Sequence, residues 1–213
     1  MRAQSRLLLP AISGLVALAL VVVLVTGGSK GSKPAATGHA EAFDGAALPA
    51  GTRAPSFTLR DQEGRTVSLG PPAGRVTMVV FLPAGAPSRL GADCRVCVLA
   101  AQQVRGALDE LGSRADVRTI FVSGALGAAG GANGLLTQAS LASRAEYLTG
   151  GEVEVGKVWR AYRIDLPSSN SPEAEAATTV VLIDRGGFER VAFGIEQLTP
   201  EGLSHDIRWL EES

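Results

Sequence analysis

Apolar and polar positions change period several times along the chain, and each change marks an element. Residues 7–26, LLLPAISGLVALALVVVLVT, carry no charge, and such a run spans a bilayer core as a helix. From Gly27 to Arg53 the pattern loses all period and small residues, Gly and Pro take over, which reads as a flexible tether. Beyond it the pattern becomes that of a globular domain. Phe57-Thr58-Leu59 and Thr66–Leu69 flank Asp61-Gln62-Glu63-Gly64, a hairpin signature. Val76–Leu82 is almost wholly apolar, as a strand covered on both faces should be. After the irregular Pro83–Ala92, the positions Cys94, Cys97, Ala101, Val104, Leu108 and Leu111 repeat in steps of three and four. That spacing predicts a helix from Asp93, as N-cap, to Leu111, with Gly112 closing it.

Val117–Val122 predicts the next strand, Gly124–Gly134 a Gly/Ala-rich loop, and Leu135–Leu148 and Val153–Tyr162 two helices. Thr178–Asp184 and Phe188–Phe193 flank Arg185-Gly186-Gly187 as a second hairpin. Thr199-Pro200 opens a last helix whose inner face is Leu203, Ile207 and Leu210. Trp159, Tyr162 and Trp209 are expected to pack, and His205 to lie solvated off that inner face. Strands separated by helices pair in parallel, while the late hairpin adds an antiparallel edge. The expected architecture is α/β, a mixed central sheet with helices on both faces, and no internal repeat is visible.

Charge adds an orientation. Arg2 and Arg6 precede the apolar run, which favours a cytoplasmic residue 1–6 segment and a domain exported across the membrane. The run is longer than a signal peptide's apolar core and no A-x-A site precedes the Gly pair, so 7–26 reads as an uncleaved transmembrane signal-anchor. A cleaved signal is the alternative. Residues 27–53 are then the linker and 54–213 the extracytoplasmic domain. The whole chain has 20 Lys+Arg against 21 Asp+Glu, a balance that offers no bulk attraction to nucleic acid. Gly124–Gly134 lacks the spacing of a phosphate loop.

The chemistry narrows to one place, because the chain has two cysteines and two histidines. Cys94-Arg95-Val96-Cys97 is a C-x-x-C at a predicted helix start behind a predicted central strand. Residues i and i+3 share a helix face, so the two sulfurs can reach disulfide distance. A helix N-terminus and Arg95 favour the attacking thiolate, while Asp93 opposes it. Three readings stay open at this point: thiol–disulfide exchange, an inert structural disulfide, or two small packed residues. A zinc knuckle is excluded, since no second ligand pair exists. His39 lies in the tether and reads as solvated.

The stretches APSFTLRDQEGRTVSL, RVTMVVFL, the Cys pair, VWRAYRI and VVLIDRGG together resemble the thioredoxin-like superfamily across about residues 54–211. Within it they are most similar to the branch holding the SenC/PrrC (Sco-type) copper chaperones, TlpA/ResA-type reductases and peroxiredoxins. The resemblance implies a thioredoxin-like three-layer sandwich. Together with the apolar run 7–26 and the C-x-x-C context, the leading expectation is a membrane-anchored thiol–disulfide oxidoreductase whose partners are exported protein thiols or disulfides, with Cys94 attacking and Cys97 resolving. The Sco resemblance implies copper as an alternative cofactor on Cys94 and Cys97, and a catalytically inactive binding module is a third implication. Against the Sco pattern, Cys94 is displaced by one residue and Ala176–Ala177 fall where a histidine ligand is expected. Against the TlpA/ResA pattern, Ala92-Asp93 replace a Trp before the motif and Thr178-Thr179 replace a Pro. Pro87 and Ser88 echo the peroxiredoxin Pro and Thr.

Overall fold

The computed structural model describes residues 42–70, 74–83, 94–123, 129–165 and 176–213. The apolar run 7–26, with the signal-anchor expected there, lies outside them; among the described residues no helix is long and apolar enough to cross a membrane. In chain order the elements are β1 (Ala46–Ala47), β2 (Phe57–Arg60), β3 (Thr66–Leu69), β4 (Val76–Leu82), α1 (Arg95–Leu111), β5 (Val117–Ser123) and α2 (Ala129–Gln138). There follow β6 (Glu146–Leu148), α3 (Glu152–Ala161), β7 (Thr179–Ile183), β8 (Glu189–Gly194) and α4 (Pro200–Glu212).

Strands β1-β8-β7-β4-β5-β6 form one mixed sheet, and β2-β3 form the separate hairpin. β4, the most apolar segment of the domain, lies at its centre with all seven residues buried. It pairs in parallel with β5 (Val79 opposite Ile120) and antiparallel with β7 (Met78 opposite Leu182). The period of two along β4 divides the core. Val76, Met78, Val80 and Leu82 face α1, α2 and α4, whereas Val79 and Phe81 face α3 and the hairpin. This is the expected three-layer arrangement. Leu203, Ile207 and Leu210 are buried as the inner face of α4, and the Thr199 hydroxyl accepts from the Gly202 N–H at 3.1 Å, the expected cap ahead of Pro200. Trp159 and Tyr162 pack edge-on or tilted against Phe81, and Trp209 packs against Phe43.

Four expectations change. The segment Leu135–Leu148 is not one helix: α2 stops at Gln138, and Glu146–Leu148 become an edge strand parallel to β5. The stop is a left-handed Ser140 (φ 57°), with Ser140 N–H donating to Thr137 O and Leu141 N–H to Leu136 O. That is the paired C-terminal bonding usually closed by glycine. Second, the expected loop Gly124–Gly134 is helical from Ala129. Third, α1 is capped by Cys94, and Asp93, the expected N-cap, lies outside the described residues.

Fourth, the end of the expected tether belongs to the domain. Ala46 and Ala47 pair with Ala192 and Val191, and Leu48, Thr52 and Ala54 hydrogen-bond to residues 187–190. A Cβ on Gly45 would stand 2.5 Å from Val191 Cγ1, so the small residues that read as linker are what let the chain lie against β8. The Asp206 carboxylate then fastens the segment, accepting from Asp44 N–H (2.9 Å) and Gly45 N–H (3.0 Å).

Candidate redox site

β4 delivers the chain to one end of the sheet, and α1 starts from that end with Cys94 in its capping position. The Cys94 sulfur accepts the Cys97 N–H at 3.2 Å, satisfying one of the backbone donors a helix start leaves open. The two cysteines are joined as a disulfide with their Cα atoms 5.2 Å apart, within the span such bridges need. Their surroundings differ. Cys97 is 1% exposed, set among Ala100, Ala101, Val180 and Leu82 in the α1-side core. Cys94 is only partly buried and Arg95 beside it is exposed. Among the described residues no acidic side chain stands in the first turn of α1, where the positive end of a helix favours a thiolate. Thr178 immediately precedes β7, whose Thr179 pairs with Phe81 near the end of β4. Thr178 is fully buried and its hydroxyl has no partner among the described residues.

No family model matches the sequence, and no curated protein matches it. Solved structures do. BsSco, a member of the Sco family of cytochrome c oxidase assembly proteins described with a disulfide switch, superposes with a TM-score of 0.58 at 17% identity, covering 78% of this chain and 96% of its own. The fold is thioredoxin-like. Copper-bound yeast Sco1 matches this thioredoxin-like fold with a TM-score of 0.57 at 18% identity, over 76% of this chain and 90% of its own. So does the thioredoxin domain of a thiol-disulfide oxidoreductase from Bacteroides vulgatus, at 0.51 and 17%, over 76% and 99%.

The donor set decides how copper fits this thioredoxin-like site. Among the described residues the two sulfurs stand at the helix start with no imidazole near the β7 end, where Ala176, Ala177 and Thr178 lie. His205 lies on α4 with its Nδ1 2.9 Å from Asp206 Oδ1 and 3.4 Å from Asp44 Oδ2. It is exposed, as expected, but bonded rather than merely solvated. Those three side chains bring ligand atoms within 4.8 Å of one another, yet Asp206 already accepts two backbone N–H groups, so their arrangement holds the chain entry in place. A three-ligand copper site with two cysteines and a histidine is therefore not assembled by the described residues.

Glu189 was given no role by sequence reasoning. It is 1% exposed, and burial pushes its carboxyl upward against the opposing effect of Arg163. Nothing in the alternation of Phe188–Phe193 marks it, because its direction depends on a β-bulge between β7 and β8.

Proposed function

We propose that this domain exchanges disulfides with protein thiols through Cys94 and Cys97. The observation that carries the reading is their asymmetry: bonded to each other at a helix start, Cys94 is partly exposed at the edge of the core and Cys97 is sealed within it. In the oxidised form a substrate thiolate attacks Cys94 Sγ, the Cys94–Cys97 bond breaks, and Cys97 leaves as the thiolate. A second substrate thiolate then attacks the substrate sulfur of the mixed disulfide and releases Cys94. The substrate loses two electrons as its own disulfide forms, and the pair gains them. The reverse sequence reduces a substrate disulfide, with Cys94 attacking and Cys97 resolving. Neighbouring structures named for thiol–disulfide chemistry and for a disulfide switch support this reading. The apolar run 7–26 and its Arg2/Arg6 flank support a membrane-anchored domain outside the cytoplasm, where exported proteins supply the thiols.

The test is a redox titration with alkylation trapping. A catalytic pair cycles, traps a substrate through Cys94 when Cys97 is replaced by Ser, and has a potential above about −300 mV, the region of inert structural bridges. A pair that never cycles, or whose thiols both resist alkylation in the folded reduced protein, overturns the proposal. Retained cellular function in Cys94→Ser/Cys97→Ser would favour a binding module instead.

A further inference from the structure

A second site lies along the opposite face of the sheet. Val181 on β7, Ala192 and Glu189 on β8, Leu48, and the segment Tyr162–Asp165 leaving α3 line a cleft of about 590 Å³, a size that suits a small organic molecule. Its lining is chiefly apolar, with one buried charge.

That charge is placed by a β-bulge. Leu182 pairs with Val191, yet Ile183 pairs with Glu189, so Arg190 is an extra residue on β8. Without it Glu189 would share the side of Val191 and Phe193, toward α1 and α4. The bulge turns it with Ile183 to the α3 side, and bulges commonly re-aim a side chain in this way. There Glu189 pairs through Oε2 with Arg163, while Oε1 has no partner among the described residues. A buried carboxylate is costly unless its remaining lone pairs are satisfied. Arg163 sits at φ 60°, with its side chain 56% exposed against 1% for Glu189. The counter-ion is therefore a surface group able to swing aside. Asp165 adds a second carboxylate to the cleft against the single guanidinium of Arg163, so the lining is net acidic and disfavours anions.

The geometry points to a binding site for a small organic ammonium, a primary amine on an apolar chain or ring. Its N–H donors complete Glu189 and its body covers Val181, Ala192, Ile164 and Leu48. A neutral apolar molecule would leave Oε1 unsatisfied, and a carboxylate would meet Glu189 and Asp165. The carboxylate end of the cleft lies away from the cysteine pair, while the cleft itself runs on to Ala176, Ala177 and Thr179 at the start of β7. Glu189 stands opposite Ile183, four residues along β7 from Thr179, or about 13 Å at the usual strand rise. The inference does not rest on the redox reading.

Calorimetric titration of the full chain in detergent at pH 7.5 tests it, with cyclohexylmethylamine, cyclohexylmethanol and cyclohexanecarboxylate as probes. One saturable site for the amine is expected, with the alcohol weaker by about ten-fold or more and the carboxylate unbound. Glu189→Gln should cost a similar factor for the amine alone. Ala192→Leu, which fills the cleft and leaves the Glu189–Arg163 pair, should abolish binding of amine and alcohol alike. Cys94→Ser/Cys97→Ser should bind the amine unchanged. The inference is overturned by absence of saturable amine binding, by amine and alcohol binding equally, or by full binding in Ala192→Leu. That last variant, with the probe comparison, decides the matter if Glu189→Gln does not fold.

Discussion

Two buried carboxylates show how a single residue is held by its hydrogen bonds. Asp61 in the β2–β3 turn accepts from the backbone N–H groups of Glu63 and Arg65 and from Arg65 Nε, at 2.7–3.0 Å. Burial alone would raise its carboxyl, but these bonds more than offset that and hold it below the ordinary 3.8. A depressed folded value means its contribution to stability is present above 3.8 and lost as pH falls through the folded value. Asp61→Asn should therefore lose about 1 kcal/mol at pH 7, and urea midpoints between pH 5 and 2 should fall less steeply in the variant than in the native chain. Asp206, fully buried, carries a heavier duty because it closes the entry of the chain onto α4. Asp206→Ala strands two backbone donors, and a loss of about 2–4 kcal/mol is expected in denaturant unfolding.

At the scale of elements, the end of α2 and the entry strand β1 carry the sharpest expectations. Ser140 occupies a left-handed conformation that costs an L-residue roughly 1 kcal/mol. Ser140→Gly should therefore raise the thermal midpoint slightly, by an amount equivalent to at most about 0.6 kcal/mol once the added freedom of the unfolded chain is counted. For β1, a protein beginning at residue 42 should match the longer chain in urea. One beginning at residue 49 should unfold earlier, because it lacks the β1–β8 pairing and the Asp206 contacts.

At the scale of the molecule, two cores on opposite faces of one sheet carry the fold, and the disulfide staples only four residues of it. Closing so short a loop restricts the unfolded chain by about 2 kcal/mol at most. Reduction should therefore leave the domain folded, with a modest drop in thermal midpoint and unchanged far-ultraviolet dichroism. A redox cycle requires this. Collapse of the fold on reduction would make the bridge structural and remove the basis for exchange chemistry.

Much of this architecture was legible in the chain. β4 reads as central because a seven-residue run broken only by Thr77 is otherwise apolar and suits a strand covered on both faces. α1 reads as a helix because its apolar positions recur at steps of three and four, and that stripe set Cys94 and Cys97 at its start. Thr199-Pro200 announced α4 by local capping chemistry alone. These features are local, and a few neighbouring side chains determine them. The rest depends on residues far apart in sequence. Ala46 and Ala47 form a strand only because β8 offers them an edge, and Glu146–Leu148 leave the helical pattern only because β5 has one free. Cys97 is sealed while Cys94 is not because α1 packs on the sheet, a difference spacing cannot state. Glu189 turns toward α3 because of one extra residue in a non-local pairing. Period and capping thus determined the order of elements and the position of the sulfurs. Pairing across the sheet, which no short window of sequence contains, decided which polar groups were buried and which faced a cleft.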